Sequence, residues 1–339
     1  MINLKTDANI SFIGELFKET YSTAFTLLKI MLPISIVIKI LSELNLIDPL
    51  GYLLSPIMGL VGLPGDFGLV WAAGMMNFYG SIPIFIALSK NNVYSVAQVT
   101  VLASMILISH ALPIEVRIAQ KAGVRAWFMA SLRIFSALFL GWILNNIFTF
   151  FNIYQNGSTI LWEQKASDPS LLSWFLNELW NYIIIFLMIF SLLALIKILT
   201  KVGVIDKLNN ILKPTLKYIG MSENAALLTI IGATLGISYG GGLIIKEAKG
   251  NILTKKDIFL SLCFMGLAHG LVEDSLVMTS LGASLIWISI GRIIFTFIVM
   301  TIIIRIITRM TTRTFERYFL FKIDIHRTHV KEHNRVSYL

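Results

Sequence analysis

The sequence reads as one membrane unit written twice. Charged, proline, glycine and tyrosine residues of the first half recur 158 to 160 positions later in the second half. The matched pairs are Lys39 and Lys197, Asp48 and Asp206, Pro56 and Pro214, Gly62 and Gly220, Gly74 and Gly232, Tyr79 and Tyr239, His110 and His269, Gly123 and Gly282, and Arg133 and Arg292. Duplicated membrane units with ionisable groups at equivalent positions are typical of secondary transporters, whose substrate sites form between the repeats.

Composition places both copies in a membrane. Hydrophobic residues make up 56% of the 339 residues and charged residues only 14%, which excludes an ordinary soluble domain. The single cysteine, Cys263, lies in an apolar stretch, so one chain can hold neither a disulfide framework nor a cysteine-rich metal site. We therefore predict an all-α polytopic membrane protein.

The distribution of basic residues predicts that the two copies have opposite orientations. Residues 305–339 carry eight Lys or Arg against three carboxylates, which favours a cytoplasmic C-terminus. The turn at 117–125 is also basic, whereas its counterpart at 275–284 contains no Lys or Arg. One turn is therefore expected inside and the other outside, so we predict two inverted-topology repeats in the inner membrane.

Each copy should contain about three crossing helices, one re-entrant broken helix and an interfacial segment. The expected crossings are 21–41, 97–113 and 125–150 in the first copy and 176–200, 258–273 and 284–308 in the second, with re-entrant pieces at 67–89 and 225–246. The expected divisions of the chain are an amphipathic interfacial helix at 1–20, repeat 1 at 21–150, an extracytoplasmic linker at 151–173, repeat 2 at 174–310 and a basic cytoplasmic tail at 311–339.

Glycine-rich segments interrupt both re-entrant pieces. Residues 74–83 contain two glycines and Pro83, and residues 232–242 contain five glycines, which disfavour a continuous helix. Broken backbone at membrane depth survives only when it is buried in protein or lines a wet cavity. We therefore predict that these segments bind the substrate through Asn77, Tyr79, Gly80, Ser81, Ser238, Tyr239, Gly240 and Gly241. The alternative is that the glycines only allow close helix packing.

Histidines and carboxylates mark a second candidate site. Ionisable groups inside a membrane are costly and mark relays, pathways or coordinating sites. The predicted coupling or ion-binding residues are His110, Glu115, His269, Glu273 and Asp274. His269 and Glu273 would share one face of a continuous helix. Arg133 and Arg292 are predicted charge partners of these carboxylates or of a substrate anion, and snorkelling structural arginines are the alternative. Helix-end histidines satisfied by backbone carbonyls are the alternative for the pair.

Two transport functions fit these residues. In the first, a small organic anion or nucleoside-like solute binds at the broken helices and is coupled to protons through the histidine cluster. In the second, His110, His269, Glu115 and Glu273 bind ferrous iron, manganese or zinc in a metal permease. A membrane assembly protein without transport activity is a third hypothesis.

Other function classes are disfavoured. The sequence has no P-loop, GxSxG or HExxH motif, so we expect neither an enzyme nor a bound cofactor. Its basic tail lacks an aromatic platform, so we expect no nucleic-acid partner. The expected partners are the lipid bilayer and a small solute or ion, and self-association into a homo-oligomer is left open.

The glycine-rich segment, the polar cluster and the glycine turn into a span with an early arginine resemble the Gate, or nucleoside-recognition, family. The segments concerned are 74–83, 109–115 and 123–133 with their counterparts 232–242, 268–274 and 282–292. The family includes spore maturation membrane proteins and the membrane part of ferrous iron transporter B. The resemblance implies two inverted Gate domains and a fold related to concentrative nucleoside carriers. The chain differs from the iron transporters in having no GTPase domain and no cysteine in its glycine-rich segments.

Overall fold

The structure, a computed structural model, describes residues 46–90, 92–159, 171–218, 220–235, 244–245 and 253–321, with scattered positions between 18 and 44. Within these ranges every regular element is a helix, and the only β-type pairings are two isolated bridges, Ser95 with Gly157 and Val124 with Leu320. The prediction of an all-α protein is confirmed. Most of the predicted helix at 1–20 and all of the tail beyond residue 321 lie outside the described residues.

Thirteen α-helices have defined bounds in the described part of the chain. They are α1 (Ile47–Gly59), α2 (Phe67–Met76), α3 (Ser81–Ser89), α4 (Val96–Ser109), α5 (Leu112–Lys121), α6 (Ala126–Phe150), α7 (Leu171–Lys201), α8 (Val204–Tyr218), α9 (Glu223–Leu235), α10 (Lys255–Leu267), α11 (Glu273–Ser280), α12 (Arg292–Thr308) and α13 (Thr312–Phe319). A 3₁₀ turn, Phe78–Gly80, precedes α3, and a π turn, Trp287–Gly291, precedes α12.

Three helical segments of the described chain are long and apolar enough to cross a membrane. They are Val96–Lys121, Ala126–Phe150 and Trp287–Thr308. The last two coincide closely with the predicted crossings at 125–150 and 284–308, and the first contains the predicted crossing at 97–113 but extends beyond it. The protein is therefore a membrane protein, as its composition predicts.

The two ends of α6 define two sides of the molecule. At its start, the backbone of Gly123 accepts a hydrogen bond from Phe321, and Arg125 donates to the carbonyls of Arg317 and Leu320. At its end, the 151–159 segment pairs with Ser95, and Ser158 lies against Gly282. We call these ends the tail side and the linker side. With 25 residues, α6 is about 38 Å long, which exceeds the roughly 30 Å hydrocarbon core.

The repeat-equivalent turns at Gly123 and Gly282 therefore lie at opposite ends of a membrane-length helix. This is the arrangement that inverted repeats require. The backbone agrees with the pairing of positions, since Gly62 and Gly220, Ala111 and Gly270, and Gly123 and Gly282 all have positive φ. The full repeat relation remains a prediction because parts of the second copy lie outside the described residues.

Helices α4 and α10 each enter from one side and end near mid-depth. The start of α4 at Ser95 is on the linker side, and 14 residues carry it about 21 Å inward. The start of α10 is on the tail side, where Lys255 pairs with Glu316, and 13 residues carry it about 20 Å inward. Their C-terminal ends meet at the centre of the molecule.

This arrangement corrects two predicted helix bounds. Continuous helices over 97–113 and 258–273 are wrong, because α4 ends at Ser109 and α10 ends at Leu267. Pro113 explains the first break, since a proline cannot donate to, and clashes with, the carbonyl four residues before it. In the second copy the left-handed backbone of Gly270 stands at the equivalent break.

Residues 67–89, the predicted re-entrant segment of the first copy, form two helices that fold back on one another at Asn77. Asn77 has an extended backbone (φ −156°, ψ 131°), and its Oδ1 accepts a hydrogen bond from the Tyr79 backbone at 3.0 Å. The ring of Phe67 at the start of α2 lies 5.9 Å from that of Phe85 in α3. Both arms therefore return to the linker side. The glycine-rich part of the second predicted re-entrant piece, residues 236–243 of 225–246, lies outside the described residues.

The buried side chains form two clusters, and each cluster contains residues from both copies. The linker-side cluster contains most of the first copy together with Val277, Ile288 and Phe295 of the second. The tail-side cluster contains α9 and α10 together with Ala119 and Met129 of the first copy. The two copies are thus interleaved, which places their helix breaks against one another.

Single cysteines should test the two sides. In a Cys263→Ser background, we expect Lys121→Cys and Arg313→Cys to react with a membrane-impermeant maleimide from one side, and Asn156→Cys from the other. All three positions are exposed, and Cys263 itself is buried. Labelling of Lys121→Cys and Asn156→Cys from the same face of sealed vesicles would contradict this arrangement of α6.

Candidate functional site

Two histidines from the two copies meet where α4 and α10 end. The Nε2 atoms of His110 and His269 lie 3.0 Å apart, and the ring centroids are separated by 4.7 Å. The residues are only 5% and 3% exposed. The two histidines that the sequence pairs by position are therefore direct neighbours in space.

Both imidazoles are held in the same way. His110 Nδ1 lies 3.1 Å from the carbonyl oxygen of Ile106, and His269 Nδ1 lies 2.7 Å from that of Met265. A carbonyl oxygen can only accept, so each Nδ1 must carry the proton. Each Nε2 of the neutral imidazole is then a bare lone pair that faces the centre. The alternative of histidines satisfied by backbone carbonyls accounts for only one nitrogen of each ring.

Glu115 joins the histidine pair and carries the only direct arginine–carboxylate ion pair of the described cluster. Its Oε1 lies 3.1 Å from Nε2 of His269 and 3.5 Å from Nε2 of His110. Its Oε2 lies 2.6 Å from Nη1 of Arg133, and both residues are almost fully buried. Arg133 is therefore a buried side chain that pairs with Glu115 and does not snorkel to the surface.

Asp274, the repeat equivalent of Glu115, approaches from the second copy. Its Oδ2 lies 3.8 Å from Nε2 of His110. A Cβ atom on Gly270 would lie only 1.8 Å from that oxygen, so the carboxylate occupies space that only glycine leaves open. In the first copy the equivalent residue is Ala111, and the longer Glu115 reaches the centre by another path.

Glu273 does not lie beside His269 as the helical spacing suggests. The helix is interrupted between Leu267 and Glu273, so the expected shared helical face does not exist. Instead, Glu273 Oε1 accepts a hydrogen bond of 3.2 Å from the Tyr79 hydroxyl of the first copy. Of the two adjacent carboxylates, Asp274 and not Glu273 faces the histidines.

The two matched arginines bind backbone carbonyls at the break after α4. Arg133 donates to the carbonyls of Ile108 (2.7 Å) and His110 (2.9 Å). Arg292, which is fully buried, donates from Nη1 to the carbonyl of Leu107 (3.1 Å) and from Nη2 to Ser275 Oγ (3.4 Å). The Leu107 contact joins the second copy to the first. The sequence signal for this role was the position of both arginines early in a span.

The predicted substrate residues of the first copy surround the tip of the re-entrant segment. Asn77 caps the break, Ser81 donates to the carbonyl of Phe78 at 2.6 Å, and Tyr79 contacts Glu273. The neighbouring Phe78 ring lies 5.1 Å from that of His110, so this tip abuts the histidine cluster. Their predicted partners, Ser238, Tyr239, Gly240 and Gly241, lie outside the described residues.

Three contributors to the site are missed by reasoning from the sequence. Ser275 accepts from Arg292, and Ser109 accepts a hydrogen bond of 2.8 Å from Trp71 Nε1 next to His110. Phe78 packs against the His110 ring. The two serines are adjacent in sequence to Asp274 and His110, which is the only available signal.

Substitutions at Ala111 and Gly270, two equivalent positions with positive φ, should change stability by different amounts. We expect Gly270→Ala to lower the free energy of unfolding by about 1–3 kcal/mol, because its methyl group meets the Asp274 carboxylate and φ is positive. The matched change Ala111→Gly should be nearly neutral, since glycine tolerates φ 48° without strain. Thermal unfolding in detergent measures both. Equal loss in the two variants would contradict the placement of Asp274.

Removing Arg133 should leave a buried carboxylate unpaired. We expect Arg133→Leu to cost about 3–5 kcal/mol of stability. Adding Glu115→Gln should recover more than about 1 kcal/mol of that loss, because the buried charge is then gone. Unfolding measurements on both single variants and the double variant give the coupling. Strictly additive losses would show that the two side chains do not interact.

Comparison with known proteins finds one family match and one curated relative. Residues 24–128 match the model of the Gate family, described as nucleoside recognition. A curated relative described as the uncharacterized membrane protein YvoD, from Bacillus subtilis (strain 168), is 28% identical over 266 residues. That alignment covers 77% of this chain and 84% of the relative. No solved structure matches the chain.

The family match covers the first copy from its first crossing to the start of α6, including the re-entrant segment, His110 and Glu115. It confirms the predicted resemblance for the first copy. The relative is also described as a membrane protein, in agreement with the three membrane-length helical segments. The chain is thus a membrane protein whose residues 24–128 are similar to the Gate, or nucleoside-recognition, family.

Proposed function

We propose that the protein is a secondary transporter in which the two copies move relative to one another around the central histidine cluster. The observation that carries the proposal is the meeting of α4 and α10, two helices that enter from opposite sides and end at His110 and His269, 3.0 Å apart. Half-crossing helices that end at the midplane are how secondary transporters build their substrate and ion sites.

The contacts that join the copies at this point are polar and can be exchanged. Tyr79 donates to Glu273, Glu115 contacts His269, and Arg292 donates to the Leu107 carbonyl. Such bonds can be replaced by others after a small shift, whereas a close-packed apolar interface resists sliding. A central polar seam inside an apolar protein therefore favours two alternating arrangements.

The proposed cargo is a small organic anion or a nucleoside-like solute. Support comes from the tip of the re-entrant segment, where Asn77, Tyr79 and Ser81 offer hydrogen-bonding groups beside the cluster. The start of α3 at Ser81 adds the positive end of a helix dipole, which favours an anionic group. Coupling to a cation would take place at the histidines and carboxylates, and the proton is the coupling ion predicted from the sequence.

The proposed orientation places the tail side in the cytoplasm of a bacterial inner membrane. The tail side gathers Arg125, Lys255 and Arg317, whose positions are tied together by the contacts of α13. Basic residues accumulate on the cytoplasmic side of membrane proteins. The linker side, with residues 151–159, would then face out.

Two matched tyrosine variants compare a contact between the copies, which should break during transport, with a contact inside one copy, which should not. Tyr79→Phe removes the bond to Glu273 between the copies, and Tyr94→Phe removes a bond of 2.8 Å to Asp66 within the first copy. A hydrogen bond to a charged group contributes about 1.5–3 kcal/mol, so losing one that exists in only one arrangement shifts the balance of states about tenfold or more. We expect Tyr79→Phe to change the uptake rate accordingly and Tyr94→Phe to leave it within about twofold.

Uptake is measured in proteoliposomes with labelled nucleosides and small carboxylates under imposed pH and sodium gradients, beside protein-free liposomes. Uptake above the protein-free level for one solute class supports the proposal. Uptake equal to the protein-free level for every solute in every gradient would contradict it. Equal effects of the two tyrosine variants would contradict the assignment of Tyr79 to a contact that opens.

A further inference from the structure

We infer that the central cluster is a binding site for one divalent transition-metal ion, held between the copies by His110, His269 and Asp274, with Glu115 as a fourth donor. The donor atoms of His110, His269 and Asp274 all lie within 4.8 Å of one another. This inference rests on the same cluster as the proposed function. Its experiment measures binding in place of transport, so either can fail without the other.

The first argument is that only acceptors face the centre. Both Nδ1 atoms donate to carbonyls, so with both rings neutral each Nε2 carries a lone pair. Two lone pairs cannot form a hydrogen bond across the 3.0 Å that separates them. The nearby Glu115 Oε1 and Asp274 Oδ2 are further acceptors when ionised. A cation at the centre would satisfy acceptors from both copies at once.

The second argument is the spacing of the donors. Metal–nitrogen and metal–oxygen bonds of about 2.0–2.2 Å in a tetrahedral site place neighbouring ligands about 3.3–3.6 Å apart. Nε2 of His110 lies 3.0, 3.5 and 3.8 Å from the donor atoms of His269, Glu115 and Asp274, and Nε2 of His269 lies 3.1 Å from Glu115 Oε1. These distances scatter around that value. Two imidazoles with carboxylates suit zinc, manganese or ferrous iron better than calcium or magnesium, which prefer all-oxygen sites.

The third argument is the support around the ligands. Metal-binding histidines almost always donate their other ring N–H to a carbonyl or carboxylate, and here the acceptors are Ile106 and Met265. Glu115 is in turn fixed by Arg133. The C-terminal ends of α4 and α10, which carry partial negative charge, both point at the cluster. These contacts fix the two histidine rings and Glu115 in orientations that face the centre.

The ion would bridge the two copies, since His110 and Glu115 come from the first and His269 and Asp274 from the second. A bound metal would then hold the copies in the arrangement seen here. This distinguishes the site from a metal bound within one half of the molecule.

Binding is tested on the full chain in detergent by titration with Zn²⁺ and by metal content after dialysis. We expect one Zn²⁺ per chain. His110→Ala/His269→Ala should weaken binding by more than about 100-fold, because even the loss of an outer-shell partner costs 10–100-fold. Gly270→Ala keeps every ligand but displaces the Asp274 carboxylate, so it should weaken binding about tenfold, and the matched Ala111→Gly should leave it unchanged.

The chain contains three other histidines within eight residues of sequence, His326, His329 and His333, and such a set is a competing zinc ligand group. The control is a variant with all three changed to alanine. It should retain the single tight site. Loss of binding in this variant, with retention in His110→Ala/His269→Ala, would overturn the inference and assign the metal to the tail.

Co²⁺ provides a readout that does not depend on a variant that folds. In the wild-type protein, the intense visible absorption of a tetrahedral cobalt centre with nitrogen and oxygen ligands supports the site. The weak spectrum of hexahydrated cobalt, together with no bound Zn²⁺, would overturn it. Zinc binding without any solute uptake would overturn the proposed transport function alone.

Discussion

Backbone groups that are freed when a helix breaks inside the membrane must find partners within the protein, and the centre of this structure depends on meeting that requirement. The end of α4 shows how it is met. Ile106 accepts from the backbone and ring of His110, Leu107 accepts from Arg292, and Ile108 accepts from Arg133. Without these donors the unpaired carbonyls would cost several kcal/mol each in a hydrocarbon surrounding. The matched arginines and histidines thus stabilise the helix breaks, whatever further role they have.

The same side chains acquire a second role because each has more than one polar group. His110 uses Nδ1 for the carbonyl of Ile106 and retains Nε2 for the centre. Arg133 uses Nε and Nη2 for carbonyls and Nη1 for Glu115. A structural interpretation and a functional one are therefore not alternatives for these residues. The structural bond sets the direction in which the remaining group points, and that direction creates the cluster.

The sequence predicts most of the architecture, because repetition and charge leave long-range marks. The recurrence of His110 and His269 predicts equivalent positions, and the re-entrant fold of 67–89 follows from its glycines and Pro83. The partner of each carboxylate could not be predicted in this way. Helical spacing pairs His269 with Glu273, but the left-handed Gly270 interrupts the helix and brings Asp274 to the histidines. A local pattern cannot reveal a break that tertiary contacts stabilise.

The differences between the copies are as informative as their likeness. In the first, Ala111 stands with the longer Glu115, and in the second, Gly270 stands with the shorter Asp274. The side chain of Asp274 is one methylene shorter than that of Glu115, so its carboxylate lies closer to the main chain. Gly270 has no Cβ and therefore leaves room for that carboxylate.

Charge pairing differs too. Glu115 is held by Arg133 at 2.6 Å, whereas Arg292 is committed to Leu107 and Ser275. Among the described residues, Asp274 thus lacks the direct arginine contact that holds Glu115 in place. A carboxylate without such a contact can turn towards an ion or away from it at lower cost than one that is already paired. The two carboxylates are therefore placed by different means: an ion pair holds Glu115 in the first copy, and the space beside Gly270 admits Asp274 in the second.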